Sequence, residues 1–177
     1  MFESGHHGEV WLELELLFSD PARLRPLAEA LAARLRRHAV TAVCGPLVEG
    51  AFVGLMVAPV LGVPFTYSQP VRERDADGLF PVSYPIPAPL RRGLAGRRVA
   101  IVNDVVNAGS AVRGTLEALK ACGAQPVAVG TLAVYGDSAA RLAAAHGVVL
   151  ETLASFPSRI WEPSACPHCA RGVPLDN

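Results

Sequence analysis

The sequence predicts an α/β protein, a single domain on a mostly parallel sheet of about five strands flanked by helices. Short apolar runs alternate with stretches of helical periodicity along most of the chain, the order that builds parallel strand–helix–strand units. The run Val99-Ala100-Ile101-Val102 is continuously apolar, as expected of a strand covered on both faces. With 177 residues and 51% hydrophobic content, the chain can fill one good-sized core.

Each element follows from its local pattern. Residues 4–8, SGHHG, form a polar turn in which His6 and His7 are expected to face water. Residues 10–16, VWLELEL, alternate, with Val10, Leu12, Leu14 and Leu16 opposite Glu13 and Glu15, and read as a half-exposed strand. Asp20-Pro21 starts a helix, with Asp as N-cap and Pro at the first helical position. Leu24, Leu27, Ala28, Leu31 and Leu35 form its apolar stripe, and Arg36-Arg37-His38 suits the negative end of its dipole.

Residues 39–44 are the next strand, with Cys44 as a buried small hydrophobe, and Gly45-Pro46-Leu47-Val48-Glu49-Gly50 leads into a helix over about 51–60. A third strand covers 63–67. Residues 68–78, SQPVRERDADG, form a charged loop with Arg72, Glu73 and Arg74, and 79–86 a β-segment that Pro81 and Pro85 confine to an edge of the sheet. After the strand at 99–102, Ala111, Val112, Thr115, Leu116 and Leu119 recur at helical spacing. A buried strand over 125–134, an Ala-rich helix over 138–145 and a last strand over 148–153 complete the sheet. Residues 1–155 are expected to form the domain, and 156–177 a Pro- and Cys-containing tail packed on it through Trp161.

The totals narrow the function classes. Sixteen basic and sixteen acidic residues cancel, so no global field points to nucleic acid or a membrane surface. No apolar run approaches the ~20 residues of a transmembrane helix. Met1-Phe2-Glu3-Ser4 lacks the basic start and apolar stretch of a secretory signal. A cytoplasmic protein whose four cysteines are reduced thiols is therefore expected.

Chemistry concentrates in residues 97–115, RRVAIVNDVVNAGSAVRGT. Asp104 stands at the carboxyl end of the apolar strand, and Asn107-Ala108-Gly109-Ser110 is a tight small loop opening a helix. Such a loop turns backbone N–H groups and the positive end of the helix dipole toward an anion. Ligands of open α/β sheets sit at that carboxyl edge. The pattern resembles the phosphoribosyl-pyrophosphate (PRPP) motif of the type I phosphoribosyltransferases, with Asn103 for the first of two acids, Asn107 for a Thr and Ser110 for a Gly or Thr. The Gly45-Pro46 stretch resembles that family's pyrophosphate loop. The opening FESGHHGEVWLELELLF and the ending WEPxxCPxCxxGxPL resemble orotate phosphoribosyltransferases, the latter a short bacterial branch.

The resemblance implies a type I phosphoribosyltransferase fold with a small hood made by the N-terminus and a loop. It implies transfer of the 5-phosphoribosyl group of PRPP to a nitrogenous base, orotate or a related one, with pyrophosphate released and Mg²⁺ bound with PRPP. The partners implied are these small molecules and a second copy of the chain. Asp104 with Asn103 would grip the ribose hydroxyls, Asp104 also supporting the metal indirectly through Mg–PRPP. Asn107, Ala108, Gly109, Ser110 and Ala111 would cradle the 5-phosphate, and Gly45 and Pro46 the pyrophosphate. Arg72 and Arg74 lie in the loop where the family carries a catalytic Lys, and would neutralise the leaving pyrophosphate.

Several residues depart from the family pattern. Asn103, the missing loop Lys and Glu49 in place of a small residue keep open a second reading, a catalytically weak PRPP- or nucleotide-binding sensor. Orotate's carboxylate calls for cations. The family's Lys before Ser-Gly is Glu3 here, and its Arg falls near Tyr135-Gly136, where no basic residue stands. Both departures count against orotate unless Arg113 or His6 substitutes. Cys166-Pro167-His168-Cys169 is half a zinc site, and no second pair is present. Completion by His168 or a dimer mate is the lesser reading, so zinc at Cys166 and Cys169 is not expected.

Overall fold

The computed structural model describes residues 7–10, 12–72 and 82–173. In chain order the elements are β1 (His7–Gly8), α1 (Glu15–Phe18), α2 (Pro21–Leu35), β2 (Ala42–Pro46), α3 (Glu49–Leu61), β3 (Phe65–Ser68), β4 (Val71–Arg72) and β5 (Val82–Ser83). They continue with α4 (Ala88–Arg91), β6 (Arg98–Val106), α5 (Ser110–Ala121), β7 (Gln125–Tyr135), α6 (Ser138–His146), β8 (Val149–Phe156), β9 (Ile160–Trp161) and α7 (Pro167–Ala170).

The main sheet has five parallel strands in the order β3-β2-β6-β7-β8. Strand alternation sorts its buried residues to two faces. Cys44, Val99 and Ile101 face α5 and α6, packing with Val112, Leu116, Leu119 and Leu142. Val43, Ala100 and Val102 face α2 and α3, packing with Leu31, Leu35, Val53 and Val57. Both faces of β6 are thus covered, which is why Val99 to Val102 carry no polar side chain. The connection leaving β2 runs to β3 on one side, and that leaving β6 runs to β7 on the other. The sheet order therefore reverses between β2 and β6, opening a crevice at their carboxyl ends.

Asp20 caps α2 as its sequence indicates, its side chain accepting the Ala22 N–H at 3.0 Å. Among the described residues, 12–16 do not form the expected strand. The chain turns into α1 instead, since one helical turn swings Leu17 and Phe18 together onto the α2–α3 core, with the Phe18 ring 5.8 Å from Phe52. The N-terminal strand is β1, two residues long, paired antiparallel with β9 of the tail. His7 is consequently buried rather than facing water.

The segment expected to rejoin the sheet at 79–86 does not do so among the described residues. β5 pairs only with β4, as an outer hairpin that the Gln69 N–H to Pro85 carbonyl bond extends. The residues between β4 and β5, Arg74 among them, lie outside the described ones. Gly45 and Pro46 belong to β2 itself, in register with Tyr67 and Ser68, rather than to the loop after it. No described helix is long and apolar enough to cross a membrane.

Candidate active site

The carboxyl end of β6 builds the site. Asn103 is buried and its Nδ2 donates to the Val105 carbonyl at 2.8 Å, which curls the strand end and fixes the side chain. The Thr131 hydroxyl, buried on β7, lies 2.8 Å from the Asp104 carbonyl and 2.9 Å from that of Ala133, clamping the two strand ends together. Burial pushes the Asp104 carboxyl above its ordinary value, and the nearby Glu49 charge adds to the rise. The N–H groups of Val105 and of Asp104 itself offset part of it. Two carboxylates, one near the end of β6 and one at the first turn of α3, therefore approach each other, and among the described residues neither has a basic partner.

Asn103, Asn107, Ala108, Gly109, Ser110 and Ala111 line one open depression. Gly109, at φ +81°, ends the loop in the left-handed region, and a Cβ there would stand 3.0 Å from Leu142. It opens the 12-residue helix α5 without a side-chain cap. Among the described residues no backbone acceptor meets the N–H groups of residues 108–112, so they face the depression as donors.

β2 and α3 bound the opposite side. A Cβ on Gly45 would lie 2.5 Å from the Gly50 carbonyl, and one on Gly50 would lie 2.2 Å from Asn103 Oδ1. Only bare backbone lets the start of α3 close onto Asn103. Pro46 has no N–H and the Leu47 N–H donates to Ser68, so Gly45-Pro46 shapes this wall without donating to a ligand. The free donors are the N–H groups of Val48, Glu49 and Gly50 at the head of the 13-residue α3. The Leu47–Val48 peptide is cis.

Arg72 is exposed on the hairpin stem and is not among the residues lining the depression. Arg113 lines a separate hollow with Ser138, Arg141 and His146. A cation nevertheless stands near Tyr135. Arg159 lines a small, partly open recess with Glu9, Val10, Asn107, Tyr135, Pro157 and Ser158, its Nε 3.7 Å from a Glu9 carboxylate oxygen. The Tyr135 hydroxyl is buried beside the Leu12 backbone without a well-formed hydrogen bond. Arg159 had no signal in the sequence, because only the β1–β9 pairing returns the tail to the mouth of the sheet.

Residues 17–165 match the family model described as phosphoribosyl transferase domain. The chain belongs to that family. It is 30% identical to an orotate phosphoribosyltransferase of Thermus thermophilus, over 99% of this chain and 89% of the relative. It is also 30% identical to one of Pelotomaculum thermopropionicum, over 97% and 83%. The crystal structure of orotate phosphoribosyltransferase from Aeropyrum pernix superposes with a TM-score of 0.67 at 25% identity, over 88% of this chain and 84% of that one. This is a phosphoribosyltransferase of the type I fold, which moves the phosphoribosyl group of PRPP to a base.

Proposed function

We propose that this phosphoribosyltransferase uses orotate as its base, acts as a homodimer and works with Mg²⁺. One observation carries the base assignment: Arg159 and Asn107 line the same cavity, so a cation lies beside the loop assigned to the 5-phosphate. Orotate brings a carboxylate, and Arg offers the planar donor pair that carboxylates accept best. The cavity is about 10 Å³ with Glu9 closing on Arg159, room for no more than one water. The base would enter by replacing the Glu9 carboxylate on Arg159. That pair is loosely held, its side chains 67% and 34% exposed.

Asn103 and Asp104 hold the ribose hydroxyls, and the N–H groups of residues 108–112 hold the 5-phosphate. The Val48–Gly50 N–H groups receive the pyrophosphate, whose charge grows as the glycosidic bond breaks toward an oxocarbenium-like transition state. Neutralising the leaving pyrophosphate is the role that the sequence resemblance gives to Arg72, on β4, and to Arg74, outside the described residues. Asp104 and Glu49 suit Mg²⁺, being paired oxygen donors without a cation of their own. Bound with PRPP, Mg²⁺ supplies charge neutralisation on the pyrophosphate oxygens. Asn103 donates through Nδ2 to the Val105 carbonyl, leaves Oδ1 as an acceptor, and so keeps a single charge, that of Asp104, at the diol.

Steady-state kinetics of Arg159→Ala test the base assignment. The KM for orotate is expected to rise ~10-fold or more while that for PRPP holds. An unchanged orotate KM would remove Arg159 from the base site.

A further inference from the structure

The structure assigns a second site, away from the PRPP depression: we propose that His7, Cys166 and Cys169 bind one zinc ion that clips the N-terminal strand to the tail. Their ligand atoms all lie within 4.8 Å of one another, with Cys169 Sγ 3.1 Å from His7 Nδ1. Tetrahedral zinc with ordinary Zn–S and Zn–N bonds sets its ligand atoms about 3.5–3.8 Å apart. The three donors therefore stand at spacings that small side-chain adjustments bring onto the ion.

The surroundings fit a thiolate–metal centre. His7 and Cys166 are 5% and 3% exposed, and Cys169 lies at the surface as the rim of the site. The Cys169 and His168 N–H groups point at the Cys166 sulfur, with the Cys169 thiol and Arg171 beside it. N–H donors aimed at a sulfur stabilise the thiolate a metal requires. Two thiolates, one neutral imidazole and Zn²⁺ sum to zero charge, which suits a half-buried position. Three protein ligands among the described residues leave the fourth tetrahedral position to water or another donor.

The backbone explains how the ligands meet. His7 is the direct cross-strand partner of Trp161, whose ring meets His168 edge-on at 5.4 Å, so β1 and the Cys-Pro-His-Cys turn are held side by side. His168 packs edge-on against Trp161 and is not in the cluster. The imidazole that completes the half-site comes from the other end of the chain, from a residue the sequence suggested was an exposed turn. Binding moves each released thiol proton to solvent and involves no change of oxidation state. The β1–β9 pair is too short to be stable alone, and its neighbours Glu9 and Arg159 close the base cavity. The ion would thus hold that wall in place.

The test is zinc content of the full chain purified under reducing conditions, with Co²⁺ replacement read by absorption. About one zinc per chain is expected, with cobalt giving tetrahedral bands and sulfur-to-cobalt charge transfer. Cys166→Ser/Cys169→Ser should lose both, and Cys122→Ser neither. If the double variant fails to fold, alkylation of the wild-type chain decides. Zinc should protect two thiols that a chelator exposes, while Cys44, its thiol pushed up to about 12 by burial, stays inert in both states. Wild-type protein that binds no zinc, or a folded double variant that keeps it, would overturn the proposal. So would a Cys166–Cys169 disulfide persisting in reductant.

Discussion

Asp104 concentrates the conflict between stability and chemistry. Its carboxyl lies above the ordinary 3.8, first because it is buried and then because Glu49 repels it, so the folded chain holds this proton more tightly than the unfolded chain. As pH rises through that window the unfolded state gains ground, and the loss persists at neutral pH. Asp104→Asn should therefore melt higher than wild type at pH 7, the difference vanishing once pH falls below the ordinary value, while turnover drops by ~100-fold or more. Thermal melts across pH with parallel pyrophosphate-release assays check both; a variant that melts lower at pH 7 would contradict the sign. Asp104 and its loop were legible in sequence because an acid ending an apolar strand before a small loop is a local pattern. Arg159 and His7 were not, since each acquires its partners only through the β1–β9 pairing of opposite chain ends.

At the level of elements, the contact between α3 and β6 sets the reacting geometry. A Cβ on Gly50 would fall 2.2 Å from Asn103 Oδ1, displacing the amide from its 2.8 Å bond to Val105. Gly50→Ala should cut kcat/KM by ~10- to 100-fold, the scale of an ångström-sized misplacement. Its melting temperature should move little, because Ala favours the helix by up to ~1 kcal/mol and offsets part of the clash. A large stability loss with normal kinetics would show that Gly50 serves packing alone. The five sheet strands were legible because each is an apolar run between turn residues. The segment at 10–16 misled because LELELLF satisfies two periods at once: it alternates, and Leu14, Leu17 and Phe18 also share a helical face. Packing against Phe52 decided for the helix. The short α4 and α7 span too few residues to show a period.

At the scale of the whole molecule, α3 closes the site at its first turn and exposes an apolar stripe along its length. Val48, Phe52 and Leu55 are 51%, 44% and 56% exposed, a patch that a second copy of the chain would cover. Leu55→Arg should shift sedimentation from dimer to monomer without unfolding the chain, whereas a wild-type chain that sediments as a monomer would contradict the proposed assembly. The hood follows the same logic, being a two-residue strand pair held by side chains from both ends of the chain. The most direct test of the whole account is pyrophosphate release from PRPP and Mg²⁺ with and without orotate. Orotate-dependent release, lost in Asp104→Asn, is the expected result. Calorimetric PRPP binding with no release in the presence of orotate, uracil, purines or nicotinate would contradict it and leave the binding-protein reading in its place.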